Sequence, residues 1–167
     1  MLIRRLDPRD AIAFQHLRLS ALKESPTAFG SSYEAEAVYT ADQIQARLAL
    51  NPSRFIFGAF SNESMVGQVV LVREVAAKTA HKAMVYGMYV MPENRTGGIG
   101  KALLRELFNT AKLMNGVTQL NLSVNAENLG ACRLYESLGF VEFGHESNAL
   151  FVDGRYYDEK HLTKLIV

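Results

Sequence analysis

Tryptophan is missing from this 167-residue chain, cysteine occurs once, and proline and histidine occur four times each. The lone Cys132 excludes an internal disulfide, and with it the disulfide-dense secreted modules. His16, His81, His145 and His161 are scattered without metal-ligand spacing, so no metal site is expected. The formal charge is only +1, which lacks the basic surplus that nucleic-acid binders use against phosphates. No apolar run approaches the ~20 residues of a spanning helix. The opening Met1–Asp10 turns charged after three residues, unlike a signal peptide. These absences leave the expectation of a soluble, cytoplasmic protein with neither nucleic acid nor membrane as partner.

What is present is a globular composition, 49% hydrophobic and 21% charged, which excludes a disordered chain. No repeat, linker or low-complexity block interrupts it, so residues 1–167 read as one domain. Met1–Leu6 reads as a short strand. Asp7 before Pro8 starts a helix, because Asp can cap it and Pro fits its first turn. Phe14, Leu17, Leu19 and Leu22 carry that helix to Ser25–Pro26. Residues 25–38 read as a loop, and Thr40 opens a second helix holding Ile44, Leu48 and Leu50.

Strand patterns follow. Phe55–Phe60 and Val66–Val72 flank a hairpin connection at Ser61–Ser64, and Ala83–Met91 is stopped by Pro92. Ile99, Leu103, Leu107, Ala111 and Met114 share one helical face, Thr118–Val124 is a strand, and Ala131, Leu134, Tyr135 and Leu138 mark a short helix closed by Gly139. Val141–Val152 and Tyr156–Val167 form a last hairpin around Asp153–Gly154. Tyr156, Tyr157 and Lys160–Lys164 place the final strand near a sheet edge that could pair with a second copy as a homodimer. The order βααβββαβαββ implies an α/β fold, a mixed sheet with helices on its faces.

The sharpest local feature is the turn Met91-Pro-Glu-Asn-Arg-Thr-Gly-Gly-Ile-Gly-Lys101 between a strand and a helix. Its glycines let backbone amides crowd one spot, the helix start adds unsatisfied N–H groups, and Arg95 and Lys101 add charge. A phosphate or pyrophosphate suits it; the bland alternative is a glycine-rich turn with a solvated arginine. It is not a Walker A loop, since Arg95 stands where the first glycine belongs and Ala102 replaces the magnesium-binding hydroxyl. Nor is it a dinucleotide fingerprint, since Leu103 replaces the third glycine.

Val90-x-Pro92-x-x-Arg95-x-x-Gly98-x-Gly100 resembles motif A of the GCN5-related N-acetyltransferase family. Val124-x3-Asn128-x2-Ala131-x2-Leu134-Tyr135-Glu136-x2-Gly139-Phe140 resembles its motif B. The resemblance covers residues 84–140 and implies the family's mostly antiparallel, helix-flanked sheet, with strand 84–91 splayed from strand 118–124. It further implies acetyl-CoA in that wedge, released as CoA. The pyrophosphate would lie on the amides of Arg95, Thr96, Gly97, Gly98, Ile99, Gly100 and Lys101, with the pantetheine arm along Met88, Tyr89 and Val90. Asn128 would bond that arm, and Tyr135 would protonate the leaving sulfur, although a tyrosine on an apolar face also reads as core. Met84 stands where several members carry a glutamate base, and Tyr86 on the same face is a poor substitute. The base is therefore open between a water, a carboxylate from the first half, and no protein group.

The family's acceptor pocket uses the first helices and their loop. Lys23–Ala46 holds one positive residue against four acidic ones, interleaved with Phe29, Tyr33 and Tyr39. This favours a pocket for a cationic amine with Glu34 or Glu36 as base; a solvated charged loop is the alternative. The expectation is an N-acetyltransferase acting on an amine of a small molecule or peptide. The rivals are a non-catalytic acyl-CoA-binding module and a nucleotide-phosphate binder, and the latter leaves motif B unexplained.

Overall fold

A computed structural model of the chain describes residues 1–166. Strand β1 (Leu2–Arg5) leads through a 3-10 turn to helix α1 (Ala11–Glu24), followed by α2 (Tyr33–Ala37) and α3 (Ala41–Leu48). Next come β2 (Arg54–Ser61), β3 (Ser64–Arg73), β4 (Lys82–Val90), α4 (Ile99–Leu113), β5 (Gln119–Asn125), α5 (Leu129–Ser137), β6 (Val141–Val152) and β7 (Arg155–Leu165). The expected order therefore stands, with one helix more than the sequence reading. Val167, expected in the last strand, lies outside the described residues.

Local chemistry explains the boundaries. Asp7 and Asp10 form a reciprocal capping box around Pro8, so the first helix enters through a 3-10 turn rather than starting at Pro8. Thr40 and Gln43 make a second box at α3. The 25–38 stretch is not wholly loop: Ser32 caps the short α2, and burial of its Glu36 holds that helix down. Helix α3 stops at Leu48, and Leu50, expected on its face, is exposed.

The sheet order is β1-β2-β3-β4-β5-β7-β6, antiparallel throughout except β4 against β5. Strand β3 is buried along most of its length because helices cover both faces. On one face Leu103, Leu104, Leu107 and Ala111 of α4 pack on Val69, Leu71 and Leu120. On the other, Phe14, Leu17 and Leu22 of α1 and Ile44 and Leu48 of α3 pack on Ile56 and Val70. Strand β7 lies one strand in from the edge; β6 is the edge itself and exposes Val141, Phe143 and Phe151. Among the described residues no helix is long and apolar enough to cross a membrane.

One buried ion cluster joins the first three helices. Glu36, 2% exposed, receives Nε and Nη2 of Arg18, the latter at 2.7 Å, and Nη1 of Arg47 at 3.2 Å. Burial works to raise the Glu36 carboxyl, but the two guanidiniums outweigh it and hold it below its ordinary 4.5. Its stabilisation is complete above that value and is lost as pH falls through the lowered folded value. Replacing Glu36 with alanine leaves buried charge unpaired and should cost about 3–5 kcal/mol of stability. Glu34→Ala at the exposed neighbouring position should stay within about 0.5 kcal/mol. Denaturant midpoints of the two variants check this, and equal midpoints would refute it.

Candidate active site

Strands β4 and β5 pair only through Lys82–Met84 and Gln119–Asn121 and then separate. Beyond the split, the β5-facing backbone of Met88, Tyr89 and Val90 has no strand partner, and such groups need one from elsewhere. A bulge deforms β4 at the same level. Val70 pairs with Tyr86 but Gln68 pairs with Tyr89, which leaves one residue extra on β4. Gly87 there has φ +58°, a conformation in which a side chain is strained. Gln68 Nε2 donates to the Gly87 carbonyl at 3.3 Å. Motif matching passed over Gly87, although a glycine inside an apolar strand is itself a bulge signal.

Two adjoining cavities open on the split. One, of about 750 Å³, runs along Met88, Tyr89 and Val90 to Arg95, Gly100 and Lys101. The other, of about 870 Å³, is lined by Tyr86, Gly87 and Tyr135 and extends to Arg18 and Glu36. Phe29, Met88, Asn125, Asn128, Ala131 and Leu134 border both. Asn125 holds the wall between them: its Nδ2 donates to the Thr27 carbonyl at 3.0 Å, and its Oδ1 accepts from Glu127 N at 2.8 Å.

The glycine turn stands at the outer end of the smaller cavity. Gly98, at φ +74°, caps α4, and Ile99 behind it is buried in the core. Thr96 and Gly97 close the 3-10 turn at the surface and line neither cavity. A Cβ on Gly100 would come within 3.0 Å of Met88 Cε and 3.2 Å of Leu134 Cδ2, so the helix start abuts the wedge closely. The first N–H groups of α4 have no intrahelical acceptor and are free for an anion. Arg95 is less free than its motif position implies. Its Nε donates to the Val90 carbonyl at 2.9 Å, and its Nη2 meets Glu24 at 2.6 Å. Burial tends to raise the Glu24 carboxyl, and contact with Arg95 and Ser25 outweighs this and lowers it. The lining still has a cationic excess: Arg95, Lys101 and Arg155 face Glu24 and Glu127. A strand edge, a helix N-terminus and that excess together fit a phosphate-bearing ligand with an amide arm.

Asn128 caps α5, its Oδ1 accepting from Ala131 N at 3.1 Å, and borders both cavities. Tyr135 is buried at 6% exposure with its ring edge-on to Phe140. It lines the larger cavity. Burial pushes its phenol well above the ordinary value, so it remains protonated at neutral pH. Cys132 is a buried packing residue, its thiol raised by burial.

The acceptor side differs from the sequence reading. Phe29, Glu36 and Tyr86 line the larger cavity, while Tyr33 and Glu34 line neither. Tyr33 instead packs under Lys23, 4.2 Å from the ring centre, and Glu34 faces solvent. Glu36 does not suit the role of base, because Arg18 and Arg47 hold its charge. Glu24 is likewise paired, so the acidic surplus of this stretch does not reach the cavity. Its charged lining is Arg18, Arg47 and Arg54 against Glu36 and Glu159. The sequence reading missed these arginines and Glu159, which come from four separate elements. Met84 lies below the split, opposite Asn121, and lines neither cavity.

A family model described as an acetyltransferase (GNAT) domain matches residues 3–161. The spermidine N(1)-acetyltransferase of Vibrio cholerae serotype O1 is 28% identical over 102 residues, 61% of this chain and 57% of that protein. The match thus spans little more than half of that relative. A GNAT-family acetyltransferase structure from Streptococcus pneumoniae superposes with TM-score 0.88 at 24% identity, covering 99% of each chain. The yncA acetyltransferase of Salmonella typhimurium, solved with acetyl-CoA, superposes with TM-score 0.87 at 19% identity, over 100% of this chain and 94% of that one. Likeness at these identities establishes the fold.

The bulge can be tested apart from any ligand. Gly87→Ala forces a side chain into a left-handed conformation and should lower stability by about 1–2 kcal/mol. Gly30→Ala, where a Cβ meets nothing within 4 Å, should be neutral or slightly stabilising. Matching unfolding midpoints for the two would contradict the assignment.

Proposed function

This chain belongs to the GNAT acetyltransferase family, and on that premise we propose that it is a cytoplasmic enzyme carrying the acetyl group of acetyl-CoA directly to a primary amine of a small molecule or peptide. One observation carries the reading: the β4–β5 split opens at one end on the glycine turn and at the other on Tyr135. Bound acetyl-CoA supplies an activated thioester. The amides of Ile99, Gly100 and Lys101, with the Lys101 charge, hold the phosphates, and Arg95 exchanges Glu24 for them. N–H groups on the β5-facing edge of Met88–Val90 would orient the arm and stabilise negative charge on the carbonyl oxygen. The Asn128 amide would bond the arm, and Tyr135, kept protonated by burial, would give its proton to the departing sulfur.

The acceptor end favours an amine that also carries a carboxylate over a polyamine. A polyamine needs surplus carboxylates, whereas three guanidiniums here face two carboxylates. Buried Arg18 Nη1 and Gln68 Oε1 have no hydrogen-bond partner among the described residues, and both residues line the cavity.

Calorimetry should find acetyl-CoA binding on the order of micromolar that ATP does not match. Arg95→Ala should weaken it roughly tenfold through the loss of a charged hydrogen bond. Tyr135→Phe should retain the acetyl-CoA Kd and lower kcat by roughly 10²-fold. Binding without turnover on any amine would favour the non-catalytic module, and no binding by folded protein would remove both readings. In a thiol-release screen, α-amino acids should outperform their amides and spermidine. Arg54→Ala should raise KM for the carboxylate-bearing amines alone, and efficient turnover of spermidine would overturn the acceptor assignment.

A further inference from the structure

We propose that Ser123, His161 and Glu146 form a proton relay that deprotonates the acceptor ammonium, supplying the base that the glycine-turn and α5 motifs leave open. The inference rests on the acetyltransferase reading for its substrate and on the structure for its geometry. Ser123 lies on β5 beyond the last residue paired with β4, and it lines the larger cavity with Tyr135 and Glu159. On its other side it is in register with His161 of β7. Ser123 Oγ is 2.8 Å from His161 Nδ1, and His161 Nε2 is 3.1 Å from Glu146 Oε2 on β6. The chain of contacts thus runs from the cavity to solvent, ending on a carboxylate that is 55% exposed.

The partners fix the direction of transfer. An ionised carboxylate only accepts, so Nε2 of a neutral imidazole carries the hydrogen toward Glu146. Nδ1 then has the lone pair, and Ser123 donates its Oγ–H to it. The hydroxyl lone pairs remain available to a donor in the cavity, which is what an ammonium offers. One N–H bond of the ammonium breaks as an Oγ–H bond forms, and the former Oγ–H breaks as an Nδ1–H forms. The amine becomes neutral and nucleophilic, and the imidazolium is stabilised by Glu146. The Nε2 proton then leaves past Glu146 to water, and exchange of the Nδ1 proton with solvent restores the Nε2–H tautomer before the next turnover. Ser123 is the catalytic residue in this scheme; His161 and Glu146 act through it.

The charged groups around His161 are Glu146 on β6 and Glu159 two residues away on β7. Phe143 of β6 packs on the ring at 6.1 Å between centroids, and β5 contributes only the neutral Ser123. Glu159 itself is pushed up by burial, with Glu146 adding to the rise and His161 opposing it. It lines the same cavity and is the competing base.

Two measurements test the relay. Nitrogen NMR of His161 in the free protein should show Nε2 protonated and Nδ1 as acceptor at neutral pH, with the Nδ1 resonance shifted in Ser123→Ala. The opposite tautomer would overturn the relay whatever the activity. In steady-state assays with L-alanine and the less basic L-alaninamide, Ser123→Ala and His161→Asn should lower kcat by roughly 10²-fold near neutral pH. The acetyl-CoA Kd should be retained. The loss should shrink as pH rises and be smaller for the less basic amine, because solution then deprotonates the acceptor. A loss independent of pH and of amine, or one confined to Glu159→Gln, would overturn the relay. An inactive wild type that still shows the expected tautomer would instead locate the failure in the acetyltransferase reading.

Discussion

Parallel pairing of β4 with β5 lasts three residues and then ends, and the site is organised around that interruption. Two strands that part inside a sheet expose backbone donors and acceptors that would otherwise satisfy one another. The gap persists because both walls are held from outside. Strand β4 remains bonded to β3 across the Gly87 bulge, and β5 is bonded to β7 along its whole length. Asn125 ties the far wall to the turn after α1, so the opening cannot simply zip shut. The energy of an unmade strand pair is thereby kept available for a ligand.

Charges in this protein are shared between folding and chemistry. Glu36 anchors α2 to α1 and α3 through Arg18 and Arg47, and the same cluster forms the floor of the larger cavity. Its carboxylate is committed to those partners and contributes no free negative charge. At the other end, Arg95 and Glu24 neutralise one another across the mouth of the smaller cavity. Counting acidic residues along the chain therefore misjudges the larger cavity, because the pairing, not the count, sets the field inside it.

Short-range patterns were legible and long-range ones were not. The strands, the helix after the glycine turn, α5 and the final hairpin follow from periodicity and capping, and the two motifs locate the wedge between residues 84 and 140. Helix α2 escaped because its five residues carry too little pattern; a buried ion pair holds it in place. Leu50 carries the apolar spacing of α3, but the helix ends two residues before it.

The sequence by itself determined the order of the strands along the chain, the glycine turn between β4 and α4 and the place of Tyr135 on α5, since each depends on residues close together in the chain. Only the tertiary structure decided which carboxylates are spent in ion pairs, which arginines reach the larger cavity, and that Ser123, Glu146 and His161 meet. The last three come from three strands, and no spacing rule joins them. Sheet register brings Ser123 opposite His161, and a register is the outcome of the whole packed fold.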